Sequence, residues 1–141
     1  PAAGSLAEKG STEFGSLCAQ CHVVNGQHEK ALEETPPLVA GVAPNLTKLM
    51  TRGTFAGSLF NLYLPDTSSS DATAAVTGNP GDALYGGDSH PNVINRPTLE
   101  EWLRNPPAMK PAYAQGERGM PNLALSEEQI DALVAYLETL K

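Results

Sequence analysis

The sequence predicts one small all-α domain, in which short helices and long loops surround a core that its own side chains do not fill. Three observations lead there. Capping-box signatures recur ahead of apolar residues at helical spacing, and no segment of useful length alternates as a strand should. Thirteen glycines and twelve prolines in 141 residues are about 18% of the chain against a usual ~12%, so much of it is loop. Aromatic residues are only 6%, which leaves few large side chains to bury.

Taken in order, the elements begin with Ser5-Leu6-Ala7-Glu8, a capping box whose following apolar positions, Leu6, Gly10, Phe14 and Leu17, place a helix over about residues 6 to 18. Asn45 caps a short turn containing Leu46, Leu49 and Met50, and a weaker helix is expected from about Phe55 to Leu62. Thr98-Leu99-Glu100-Glu101, after Pro97, starts a short helix that carries Leu99, Trp102 and Leu103 and stops before Pro106 and Pro107. Ser126-Glu127-Glu128-Gln129 opens the last helix, with Ile130, Leu133, Val134, Leu137 and Leu140 as its apolar stripe. Between them, residues 65–95 form a loop insertion with Ser68, Ser69 and Ser70 together, several glycines and four aspartates, Asp66, Asp71, Asp82 and Asp88. Loops this long are functional or mobile in compact domains. Its acids read as a solvated face, because the spacing of an EF-hand calcium loop is absent.

Length and charge narrow the function. One domain accounts for residues 1–141, with residues 1–5 reading as a linker remnant. A formal charge of -7 offers no basic footprint for phosphates, so nucleic acid is not an expected partner. The longest apolar stretch, Leu38 to Ala43, is far below the roughly 18 or more residues of a membrane span. Any membrane association is expected through a tether outside this chain.

The two cysteines carry the chemistry. They stand in Cys18-Ala19-Gln20-Cys21-His22, the attachment pattern of a c-type haem, in which each thiol adds to one vinyl group and the adjacent histidine lies under the iron. A large apolar cofactor also answers the shortage of core side chains. Other readings of the pair are weaker. A thioredoxin-like redox motif follows a strand, whereas the residues before Cys18 are helical. A structural zinc needs four ligands, and beyond Cys18, Cys21 and His22 only His28 and His90 remain. A disulfide so short closes too small a loop to constrain the unfolded chain much.

An electron carrier fills the second axial position, and methionine there raises the reduction potential. Three methionines compete. Met50 falls in an apolar helical pattern and reads as packing. Met109 lies just past the tryptophan helix. Met120 stands in Gly119-Met120-Pro121-Asn122, where glycine and proline stiffen an extended backbone against a flat ligand. Met120 is the expected ligand, with Met109 the alternative.

The order of Gly10, Phe14, Cys18-Ala19-Gln20-Cys21-His22, Ala43-Pro44-Asn45-Leu46, a tryptophan helix, Met120-Pro121 and Ala132-Leu133-Val134-Ala135-Tyr136-Leu137 resembles a class I c-type cytochrome over nearly the whole chain. Within that class, Pro44-Asn45-Leu46-Thr47, Arg52-Gly53-Thr54, Ala56-Gly57-Ser58-Leu59, Trp102-Leu103-Arg104-Asn105-Pro106 and Lys110-Pro111 are similar to the cytochrome c domain fused to subunit II of caa3-type cytochrome c oxidases. The chain departs from that pattern in the 65–95 insertion and in the longer run from Lys110 to Met120.

The resemblance implies an all-α class I cytochrome c fold wrapped around one haem c, covalent through Cys18 and Cys21, with His22 and Met120 as iron ligands. It implies that the Pro44 carbonyl accepts from His22 Nδ1, that Arg52 and Trp102 reach the haem propionates, and that Gly10 and Phe14 cross Leu133 and Tyr136. With both axial positions filled by protein there is no place for substrate, so the expected function is one-electron transfer without catalysis of its own. The implied partners are redox proteins: the copper domain of the oxidase subunit II and an upstream electron donor. The implied location is extracytoplasmic, in the periplasm or on the outer face of the bacterial cytoplasmic membrane. The alternative is a free periplasmic cytochrome c or the haem module of a dehydrogenase. Six of the nine bases, Lys48, Arg52, Arg96, Arg104, Lys110 and Arg118, fall in segments expected to flank the haem. If they lie free, they steer its edge toward an acidic patch.

Overall fold

In the computed structural model, Ser5 accepts the Glu8 N–H at 3.1 Å and so satisfies one of the first-turn donors that a helix leaves open. The structure describes residues 1–29, 43–64, 93–111 and 119–141. Most of the expected 65–95 insertion, His90 and Arg118 lie outside them. Helix α1 spans Leu6–Glu13 and runs on into a π-helical turn, Phe14–Cys18, so the expected helix to residue 18 widens over its last five residues. The wider pitch lets Ala19 N–H donate to the Phe14 carbonyl at 2.9 Å, and such turns occur often at functional sites.

A 3₁₀ turn, Leu49–Thr51, leads into two short antiparallel strands, β1 (Thr54–Phe55) and β2 (Phe60–Asn61), with Phe55 opposite Phe60. The helix expected from Phe55 to Leu62 is therefore a hairpin. Its turn holds Ala56, Gly57 and Ser58 at φ of 53°, 75° and 66°, a left-handed run that no right-handed helix accommodates. The two phenylalanine rings face each other with centroids 5.5 Å apart, and both pack on Trp102, at 6.3 and 5.9 Å. These cross-strand and tertiary contacts outweigh a weak helical pattern.

Helix α2 spans Arg96–Arg104, starting ahead of the expected Thr98 cap. Pro97 sits in its first turn, where the missing N–H costs nothing and the fixed φ suits the helix. Asn95 precedes it with its side chain committed to the Asn61 carbonyl at 3.1 Å. Helix α2 stops at Arg104, as expected, ahead of Pro106 and Pro107. They begin the one-turn helix α3, Pro106–Met109, after Asn105 breaks the axis at φ -155°.

Helix α4, Glu127–Leu137, has the full capping box: Ser126 accepts from Gln129 N–H, and Gln129 Oε1 accepts from Ser126 N–H. The predicted stripe, Ile130, Leu133, Val134, Leu137 and Leu140, is buried throughout. α1 crosses α4 at Gly10, where a Cβ would overlap the Ala132 carbonyl and lie 2.8 Å from the Tyr136 Cβ. One turn on, the Phe14 ring stacks at 5.4 Å from Tyr136. No helix of the described residues is long and apolar enough to cross a membrane.

Candidate functional site

The π-helical turn delivers Cys18 into the core and leaves Cys21 exposed, with both thiols free. Cys18 N–H is followed by a tight turn in which His22 N–H donates to the Cys18 carbonyl at 2.8 Å, fixing the imidazole just beyond the two sulfurs. Burial, reinforced by Cys21 and Glu13, pushes the Cys18 thiol up to about 11. A disulfide-exchange pair needs the opposite, a thiol lowered toward neutrality.

His22 Nδ1 lies 2.8 Å from the Pro44 carbonyl oxygen. A carbonyl only accepts, so the proton is on Nδ1 and Nε2 keeps its lone pair. Burial holds the ring below the usual imidazole range, against the opposing pull of the Pro44 bond. The side chain is thus neutral near pH 7, the form that binds metals. Asn45 braces this segment from the other side. Its Oδ1 accepts the Thr47 N–H at 2.9 Å, and its Nδ2 donates to Asn25 at 2.9 Å.

Cys18, Cys21, His22 and Pro44 share the wall of one apolar cavity of about 620 Å³ with Trp102 and Met120. A volume of this size suits a single cofactor-sized molecule. Residues about a hundred positions apart therefore converge: His22 from the end of the π turn, Trp102 from α2, and Met120 from the segment ahead of α4. Leu133 and Leu137 of α4 and Leu49 supply apolar surface behind them. Met120 is half-buried and flanked in the wall by Gly119 and Pro121.

Two of the competing methionines are elsewhere. Met50 is buried in the core cluster without lining the cavity, and its carbonyl accepts from the Tyr63 hydroxyl. Met109 faces a separate cleft of about 380 Å³ beside Glu100, Glu101 and Arg104. His28 is also remote from the wall. Its ring packs against both Phe14 and Tyr136, at 5.1 and 5.7 Å, with Nε2 3.1 Å from Ser11 Oγ. Among the described residues no three His, Cys, Asp or Glu side chains converge on a point where a bare metal ion would bind.

Arg52 is not brought to the cavity. It is exposed, and its guanidinium donates to the Asn45 carbonyl, bracing the loop that presents Pro44. Among the described residues of the wall the cation is instead Lys110, whose Nζ donates to the Ala56 carbonyl at 3.1 Å. Along the chain Lys110 reads only as a surface charge, and Ala56 and Gly57, expected on a helix, show no sign of lining a cavity. The left-handed turn signal at Gly57 was present in Ala56-Gly57-Ser58. The expected cluster of free bases is also reduced. Arg96 and Arg104 each form a two-point pair with α4, to Glu138 and Glu127.

The donor set fits a haem. It comprises two thiols one turn apart, a neutral imidazole with a free Nε2, a thioether in the same wall and a surrounding that is apolar rather than acidic. A scan against protein-family models and searches of curated proteins and of solved structures return no match to this chain.

Proposed function

We propose that this chain is a class I c-type cytochrome domain that carries single electrons through one haem c, attached by thioether bonds from Cys18 and Cys21. The observation that carries this reading is the apolar cavity whose wall holds both cysteines, His22 fixed through Nδ1 to Pro44, and Met120. A haem bound there supplies a reversible one-electron change at iron.

The chain's own residues set the conditions for that change. His22 offers Nε2 as a donor, made more basic by the hydrogen bond at its other nitrogen. Met120 offers a neutral, polarisable sulfur that favours the reduced state. The apolar lining excludes water and stiff packing around α1 and α4 limits reorganisation. Were His22 and Met120 both to hold the iron of a bound haem, no position would remain for substrate, and no turnover is expected. The expected partners are the copper domain of a caa3-type oxidase subunit II and an upstream donor, with the domain held outside the cytoplasm by a tether beyond this chain.

Ligand binding tests the reading. The reduced holoprotein should leave carbon monoxide unbound at neutral pH while titrating reversibly with one electron. Rapid carbon monoxide binding by the wild-type protein would contradict the axial pair and point to an open-site function.

A further inference from the structure

The cavity is apolar almost everywhere, yet a haem carries two carboxylates that require compensation in such surroundings. Of the described residues that line it, the ionisable ones are Cys18, Cys21, His22 and Lys110, and none is an acid. On the haem reading the cysteines and His22 are taken up in holding the haem, which leaves Lys110 as the cation of the described lining. Lys110 lies just after α3, exposed at the rim, and it is held in place from below. Its Nζ donates to the Ala56 carbonyl at 3.1 Å. An ammonium has three N–H donors, so that bond leaves others for a ligand.

That carbonyl belongs to the turn between β1 and β2. Ala56, Gly57 and Ser58 are all left-handed, a conformation uncommon outside glycine that concentrates at ligand-contacting segments. A Cβ on Gly57 would come within 3.0 Å of Lys110 Nζ. The ammonium therefore rests against bare backbone at the cavity rim. Arg52, the residue that the family resemblance nominated, is turned to the Asn45 carbonyl and lies outside the wall.

Resting on the haem reading above, we propose that Lys110 is the carboxylate anchor of this cavity: its ammonium, propped on the Ala56 carbonyl over Gly57, pairs with a propionate of the bound haem. Lys110 is thus a positioning residue for the cofactor edge, and it adds a positive charge beside the iron site.

The test uses holoprotein made in a host that attaches haem, and reads the midpoint potential against pH. Propionate ionisation gives an inflection in that profile. In Lys110→Gln the inflection should move to higher pH by about one unit or more, the size expected when an opposite charge within ~4–6 Å of a carboxylate is lost. The potential at neutral pH should fall as well, because the oxidised centre loses a repulsive neighbour. Lys110→Arg should keep the wild-type profile. A Lys110→Gln holoprotein with unmoved inflection and potential would overturn the anchor and leave Lys110 as a tether between α3 and the hairpin, a role glutamine can fill. Should Lys110→Gln yield no holoprotein, Lys110→Met, which keeps the apolar stem and removes the charge, reads the same quantity, and an unmoved inflection there overturns the proposal equally. A wild-type chain that attaches no haem would instead overturn the underlying reading, which separates the two failures.

Discussion

The two sides of the core are built on different terms. Where α1 crosses α4, backbone meets backbone: Gly10 admits the Ala132 carbonyl, Phe14 stacks on Tyr136, and the α4 stripe is buried to a few per cent exposure or less. On the other side of Leu133 and Leu137, the same helix faces a cavity of about 620 Å³ walled by the hairpin, α2 and the Met120 segment. The first region is complete in its own side chains. The second leaves an apolar space that the described side chains do not fill. On the proposed haem reading, that difference would explain how a domain so poor in aromatic residues and so rich in glycine and proline holds a fold, because part of its core would be the cofactor.

Removing what the second region holds should have the largest effect. Cys18→Ala with Cys21→Ala should yield mostly unfolded chain, since an unfilled cavity of this size forfeits the contacts of its whole lining; far-UV circular dichroism checks it. A double variant with native helicity and cooperative melting would break the comparison, because the cavity side would then be self-sufficient. On the first side, Gly10→Ala should cost about 3 kcal/mol, the upper part of the overpacking range, because the new methyl group overlaps backbone rather than a movable side chain. Urea unfolding of the holoprotein measures it, and the spectrum of the folded form should be unchanged.

Met120→Ala sharpens the division of labour among the methionines. It should abolish the far-red sulfur-to-iron band of the oxidised protein and cost about 2 kcal/mol, as other methionine truncations at packed sites do. Met109→Ala should leave that band in place, since Met109 faces a different cleft. Retention of the band in Met120→Ala and its loss in Met109→Ala would reverse the assignment. A smaller effect is expected at Ser126, where alanine removes one side of the α4 capping box and should cost about 1 kcal/mol.

The smallest effect concerns pH. Burial against Phe14 and Tyr136 holds the His28 pKa below its ordinary value. The neutral ring is therefore favoured on folding, and its contribution is fully present above the unfolded imidazole pKa of about 6.5. It is lost as pH falls from there through the depressed folded value. Denaturant midpoints of the wild type should drop over that window more than those of His28→Gln. Equal drops would remove His28 from the acid sensitivity of the helix crossing.

The helix crossing was legible in the sequence because its signals are local and periodic. Ser5 and Ser126 announce the starts of α1 and α4, and the 3.6-residue stripe on α4 names the buried face. The Cys18-Ala19-Gln20-Cys21-His22 spacing singled out three residues of the cavity wall for the same reason, and the Pro44 contact to His22 came through the family resemblance. The hairpin was not legible. Its strands are two residues each, too short for alternation to register, and they are held by Phe55, Phe60 and Trp102 meeting across more than forty positions. The charge pattern misled in a related way. Arg96 and Arg104 counted as free bases along the chain, but Glu138 and Glu127 meet them in space. Lys110 became visible only with the turn that carries Ala56.

Covalent attachment at Cys18 and Cys21 is the central claim, and acid-acetone extraction of protein made in a host with haem-attachment machinery tests it most directly. Thioether bonds survive the treatment and axial bonds do not. The account predicts that the haem stays with the precipitated wild-type chain, and that the Cys18→Ala with Cys21→Ala variant retains none. Haem that passes into the solvent from the wild-type protein, or a chain that carries none at all, would contradict it.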